Sequence, residues 1–179
     1  FIFNKSSSPS SVEVNQILNL QKEGYLIKAY EECKKLINKH PQSELLYNIA
    51  GVIKSDKKEF DKALLSYLFA LKINPNYAQV YNNLGVLLKK IGEFNTSILS
   101  YIRAINLKPN YVQAYNNLGL AYLEKNETNK ALTVFLKALN SDFNNENSNF
   151  NIGTVYYKKK KFKEAEIYFK NAISLNPNY

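Results

Sequence analysis

The chain has 179 residues, 45% hydrophobic and 22% charged, an ordinary balance for a folded domain, and no apolar run approaches the ~18 residues of a membrane-spanning helix. Its single cysteine, Cys33, excludes an internal disulfide and a cysteine-built metal site. The net charge of +9 raises nucleic acid as a partner, but of 24 basic residues only Arg103 is an arginine, and 25 asparagines accompany the lysines as A/T-rich coding would produce; bidentate recognition of phosphate or bases is left nearly without a donor, and no nucleic-acid function is expected.

Taken in chain order, residues 1–9, FIFNKSSSP, have no periodicity and read as a flexible linker or tail. Phe1 and the absence of methionine lead to the expectation that the chain is a fragment of a longer protein. Ser10 followed by Glu13 fits a capping box that opens the first helix. From residue 10 onward the chain repeats every 34 residues. Tyr47, Tyr81 and Tyr115 form one column, Gly51, Gly85, Gly119 and Gly153 a second, and Ala70, Ala104, Ala138 and Ala172 a third. Ala29, Ala63, Ala131 and Ala165 form a fourth, with Ser97 between them, and Pro41, Pro75, Pro109 and Pro177 a fifth. Five units follow: 10–43, 44–77, 78–111, 112–145 and 146–179.

Within a unit the period is helical. Tyr81, Leu84, Gly85 and Leu88 lie at i, i+3, i+4 and i+7, and after Gly92 a second stripe runs through Phe94, Ile98, Tyr101 and Ile105 to a stop at Pro109. Each unit is therefore two antiparallel helices of about 12–14 residues. Gly24, Gly92 and Asn126 suit a left-handed residue in the hairpin turn; Lys58 and Lys160 hold it at a cost of ~1 kcal/mol each. The small columns let helices cross closely, and a lone hairpin cannot cover both of its apolar stripes, so hairpins must stack into an all-α solenoid. Two units depart from the pattern. In the first, Ile17 replaces the glycine and Cys33 the large aromatic; in the fourth, SDFNNENSN carries Phe143 where proline is expected, which predicts a looser turn.

The residues Tyr81, Leu84-Gly85, Leu88, Ser97, Tyr101, Ala104 and Pro109, at period 34, resemble the tetratricopeptide repeat, over about 170 residues from Ser10 to Tyr179. The resemblance implies a right-handed superhelix of about five helix-turn-helix units. It also implies a protein-interaction scaffold that binds an extended or helical peptide.

Stacked hairpins curve, and the first helix of each unit lines the concave side. Residues off the packing stripe are the groove candidates: Gln79, Asn83, Val86 and Lys90 in the third unit, Gln113, Asn117 and Leu120 in the fourth, and Asn147, Asn151 and Thr154 in the fifth. Asn15 holds the Asn83 column in the first unit, and Ile49 interrupts it in the second. An amide donates and accepts, so the ladder Asn15, Asn83, Asn117, Asn151 can hold the backbone of an extended strand. Asn48, Asn82 and Asn116, one residue earlier, are expected at the groove edge as tolerated surface residues. Replacing Asn83 and Asn117 by alanine is then expected to weaken binding and leave the melting temperature nearly unchanged. The ladder resembles the repeats of O-linked N-acetylglucosamine transferases, whose matching asparagines contact substrate backbone. It does not resemble carboxylate-clamp repeats, which carry Lys or Arg where Gln113 and Asn117 stand.

No glycine-rich phosphate loop, nucleophile motif or carboxylate pair appears, so no catalysis and no cofactor are expected within these residues. The alternative to a free-standing scaffold is a substrate-presenting arm of a larger enzyme, of glycosyltransferase or sulfotransferase type. Lys158–Lys161 read as a solvated turn and His40 as an isolated residue. The expected partner is a protein or peptide, with self-association possible through the last, uncapped unit. The lone cysteine and the absence of a visible export signal lead to an expected cytoplasmic location.

Overall fold

The computed structural model describes residues 8–177, so the expected tail lies, except for its last two residues, outside the described part. Ten helices follow in order among the described residues: α1 (Ser11–Lys22), α2 (Leu26–Lys39), α3 (Glu44–Asp56), α4 (Phe60–Ile73), α5 (Ala78–Lys90), α6 (Phe94–Leu107), α7 (Val112–Glu124), α8 (Thr128–Ser141), α9 (Glu146–Lys158) and α10 (Phe162–Leu175). No described residue is in a strand. The fold is an all-α helical-repeat solenoid, built of helix pairs that pack on their sequence neighbours.

Local chemistry sets the helix ends. Ser10 Oγ accepts from Glu13 N at 3.2 Å while Ser10 N donates to Glu13 Oε2 at 3.0 Å, so the capping box closes. Ser43 and Asn145 cap α3 and α9 with a one-way bond, their side-chain oxygens accepting from Leu46 N and Ser148 N. All five hairpin turns place one residue at positive φ: Gly24 at 85°, Lys58 at 60°, Gly92 at 87°, Asn126 at 59° and Lys160 at 58°. The next residue then donates back five positions, for example Glu59 N to Lys54 O at 2.9 Å and Glu127 N to Tyr122 O at 2.8 Å. That bond satisfies a carbonyl at the end of the first helix of each pair. The turn geometry repeats even where lysine must carry it.

The expected loosening around Phe143 does not occur. Between α8 and α9 the chain uses four residues, the same number as between α6 and α7. Asp142 accepts from Asn144 N at 3.1 Å, as Asn74 does from Asn76 N at 3.1 Å, so the same Asx turn forms with Phe143 as with Pro75. Phe143 itself is exposed.

The chain divides into two compact units, one ending at Leu87 and the other beginning at Leu88. In the first, α1, α2 and α3 enclose Val14, Ile17, Ala29, Cys33, Leu36, Leu46 and Ile53. Beyond them, α4 and α5 enclose Ala63, Tyr67, Ala70, Val80 and Leu87. In the second, α8 and α9 bury Ala131, Phe135, Ile152 and Val155. The glycine column shows its purpose here. A Cβ on Gly51 would run into the Tyr67 ring and one on Gly119 into the Phe135 ring; one on Gly153 would stand 2.7 Å from Phe169. Each glycine is the hole for an aromatic knob from its partner helix. In the first pair the sizes are exchanged: Ile17 and Cys33, both fully buried in one cluster, occupy the equivalent positions.

Candidate peptide-binding face

The first helix of each pair turns one stripe away from its packing partners. On α5, Gln79 and Lys90 are exposed and Asn83 and Val86 half-buried. Gln113 of α7 is exposed, with Asn117 and Leu120 half-buried; Asn147 of α9 is exposed, with Asn151 and Thr154 half-buried. In the second compact unit α7 and α9 are direct neighbours. Gln113 and Asn147, Asn117 and Asn151, and Leu120 and Thr154 thus occupy corresponding positions on adjacent helices. The Thr154 hydroxyl is committed to its own helix, donating to Phe150 O at 3.0 Å. Asn15 stands apart from these: it is exposed on α1, in a shallow hollow with Val12, Gln16, Asn19, Leu20 and Glu23. Ile49, in the same column on α3, is buried.

The first asparagines of the repeated dipeptide are placed otherwise than expected. Asn48, Asn82 and Asn116 are 9%, 7% and 8% exposed, so they are interior groups and not edge residues. A buried amide must be bonded, and for Asn48 and Asn116 the bonds come from the next helix pair, while Asn82 Nδ2 donates to Asn83 Oδ1 at 3.4 Å. Asn83 Nδ2 donates to Asn48 Oδ1 at 2.9 Å, and Asn151 Nδ2 donates to Asn116 Oδ1 at 3.3 Å. Asn116 in turn donates to Ser148 Oγ at 3.0 Å and to Asn145 Oδ1 at 3.3 Å. Asn83 and Asn151 thus each give an N–H to the preceding repeat. Their amides are part of the stacking interface as well as of the open face. The separation of 35, one more than the period, pairs the first asparagine of one repeat with the second asparagine position of the next.

Charge is concentrated at the hairpin turns. Glu59 lies 2.6 Å from Lys57 Nζ and 3.0 Å from Lys62 Nζ, and these hydrogen bonds hold its carboxyl down to about 2. Glu127 pairs in the same way with Lys130 at 2.6 Å and Lys125 at 3.4 Å, and its pKa is lowered, chiefly by Lys130. Lys125 and Lys159 each reach back to an asparagine of the preceding pair, Asn95 at 2.6 Å and Asn129 at 2.9 Å. Burial pushes the Cys33 thiol up to about 12, and it donates to Leu46 O at 3.4 Å, so it behaves as a small core residue. No described helix is long and apolar enough to cross a membrane.

The model described as TPR repeat matches residues 51–92, 88–126 and 119–160, and that described as Tetratricopeptide repeat matches 148–179. The chain belongs to the tetratricopeptide repeat family. The matches begin after the first helix pair, where Ile17 and Cys33 exchange the usual sizes. No curated protein matches the chain. Among solved structures, a crystal structure of MamA is 26% identical, with a TM-score of 0.74 over 89% of this chain and 93% of that one. PilF of Pseudomonas aeruginosa is 21% identical, with a TM-score of 0.84 over 92% of this chain and 75% of that one. YrrB, described as a TPR protein with an unusual peptide-binding site, is 20% identical, with a TM-score of 0.66 over 98% of this chain and 90% of its own. At these last two identities the likeness is one of fold.

Proposed function

We propose that this tetratricopeptide repeat chain is a protein-interaction scaffold that takes an extended peptide along the open face of its first helices. The observation that carries the reading is the pairing of α7 and α9. Their matched residues combine exposed amides (Gln113, Asn147), half-buried amides (Asn117, Asn151) and a shallow apolar element, Leu120. Amides bond to peptide groups irrespective of side chain, and Leu120 adds contact area. YrrB, a protein of the same fold, has a peptide-binding site, which supports the assignment by analogy. In this reading Asn151 offers its carbonyl oxygen and one N–H, because the other N–H is given to Asn116.

Peptides selected from a random 12-residue library against the chain provide the probe, with binding read by fluorescence anisotropy. Gln113→Glu, at an exposed position of the same face, should weaken a selected peptide about tenfold or more, because the amide's donor is replaced by a charge, while the thermal melt stays close to wild type. Selected peptides that bind the variant and the wild type equally would place the site elsewhere.

A further inference from the structure

The outward stripe of α4 differs from that of the preceding second helix. On α2 the solvent-facing positions hold Glu31, Lys34 and Lys35, all exposed. One period later α4 carries Leu65, Leu68 and Phe69, which remain 56%, 49% and 50% exposed. Phe69 is held in place by Tyr47 of α3, stacked at 5.6 Å with 26° between the rings. The stripe ends in two charges, Asp61 in the first turn and Lys72 in the last, both exposed. Among the described residues neither makes an ion pair or a hydrogen bond. Asp61, Leu65, Leu68 and Lys72 fall at i, i+4, i+7 and i+11 and so share one face of the helix.

We infer that α4 is a self-association surface, against which a second copy of this chain packs its own α4 antiparallel. The occupant follows from the symmetry of the stripe. A two-fold axis crossing the helix between Ser66 and Tyr67 exchanges Asp61 with Lys72 and Leu65 with Leu68. Each Asp61 then faces the second copy's Lys72, and the leucines and Phe69 meet in the middle. An isologous contact requires this self-complementarity, whereas a different protein would need only a single-sign or apolar match. The contact rests on three large side chains per copy and falls below the standard interface class, so the dimer is weak. It uses α4, whereas the peptide reading uses α7 and α9.

Sedimentation velocity of the 179-residue chain from about 5 to about 500 μM tests it, with circular dichroism melts to show that each variant folds. A concentration-dependent dimer is expected, and Leu68→Glu should abolish it. Asp61→Lys alone, or Lys72→Asp alone, sets like charges face to face and should weaken association about tenfold or more; the double variant Asp61→Lys/Lys72→Asp should return to within about threefold of wild type. A wild-type monomer throughout the range overturns the inference. So does association that survives Leu68→Glu, which would move the contact elsewhere, for example to the exposed Phe162 and Ile173 of α10. Folded charge variants whose combination fails to restore the dimer overturn it as well, as does Leu68-dependent binding to anionic vesicles without dimerisation.

Discussion

The side-chain amide of Asn83 donates to Oδ1 of Asn48 across 2.9 Å, joining the first helices of two successive pairs. Asn48 is nearly fully buried, so this oxygen has lost water and depends on its partner. Asn83→Ala strands it and should destabilise the chain by about 1–2 kcal/mol, in place of the negligible change that a purely surface ladder implies. Asn48→Ala should cost a similar amount, and the double variant less than both losses added, since one bond is counted twice. Urea unfolding of the four proteins checks this; strictly additive losses would mean that the bond is not shared.

Gly119 is the hole and Phe135 the knob at the α7–α8 crossing. Gly119→Leu overpacks a fully buried ring and should cost about 1–3 kcal/mol. The first helix pair already shows the inverse solution, Ile17 with Cys33. Copying it, Gly119→Ile with Phe135→Cys, should recover at least half of the loss that Gly119→Ile suffers alone, measured as the urea midpoint. No recovery would mean that the two positions do not share one volume.

The helix pairs, their turns and the close crossing at the glycine column could be read from the 34-residue period, because each rests on a residue type with one dominant physical use. Gly24 and Gly92 do adopt positive φ, and Lys58 and Lys160 adopt it as well, since the repeat geometry overrides their preference. The buried asparagines could not be read this way. Hydropathy places an amide outside, and only the one-residue offset between Asn48 and Asn83 shows that the group is bonded inside. The turn at Phe143 was misjudged because Asp142 accepts the same bond that Asn74 accepts ahead of Pro75, so the turn keeps its shape without a proline. The stripe on α4 was hidden for the opposite reason: Leu65, Leu68 and Phe69 look like ordinary packing residues until their exposure is known.

The Tyr101 hydroxyl is buried and finds no hydrogen-bond partner among the described residues. Burial also drives its pKa upward. The same column holds Phe135 and Phe169 in later repeats, so the site accepts a plain ring. Tyr101→Phe removes an unpaired polar group without changing shape and should raise stability by about 1 kcal/mol. Differential scanning calorimetry would register this as a higher melting temperature; a fall would reveal a partner for the hydroxyl.

Glu59 stands at the start of α4, where the Lys57 and Lys62 ammonium groups and the helix N-terminus all favour its charged form. Its carboxyl is held to about 2, below an ordinary value of 4.5. The unfolded chain therefore binds the proton first as the pH drops, and the contribution of Glu59 to stability, complete above about 4.5, disappears as pH falls through about 2. Glu13, Glu127 and Glu166 are shifted in the same direction, so the wild-type melting temperature should decline over this acid range from several sources. The difference between wild type and Glu59→Gln isolates one of them. The variant should melt lower at pH 7, and the gap should close on acidification and narrow in high salt, because the group is open to solvent and screened. Melts at pH 7, 4 and 2.5 that run parallel for the two proteins would remove Glu59 from the list.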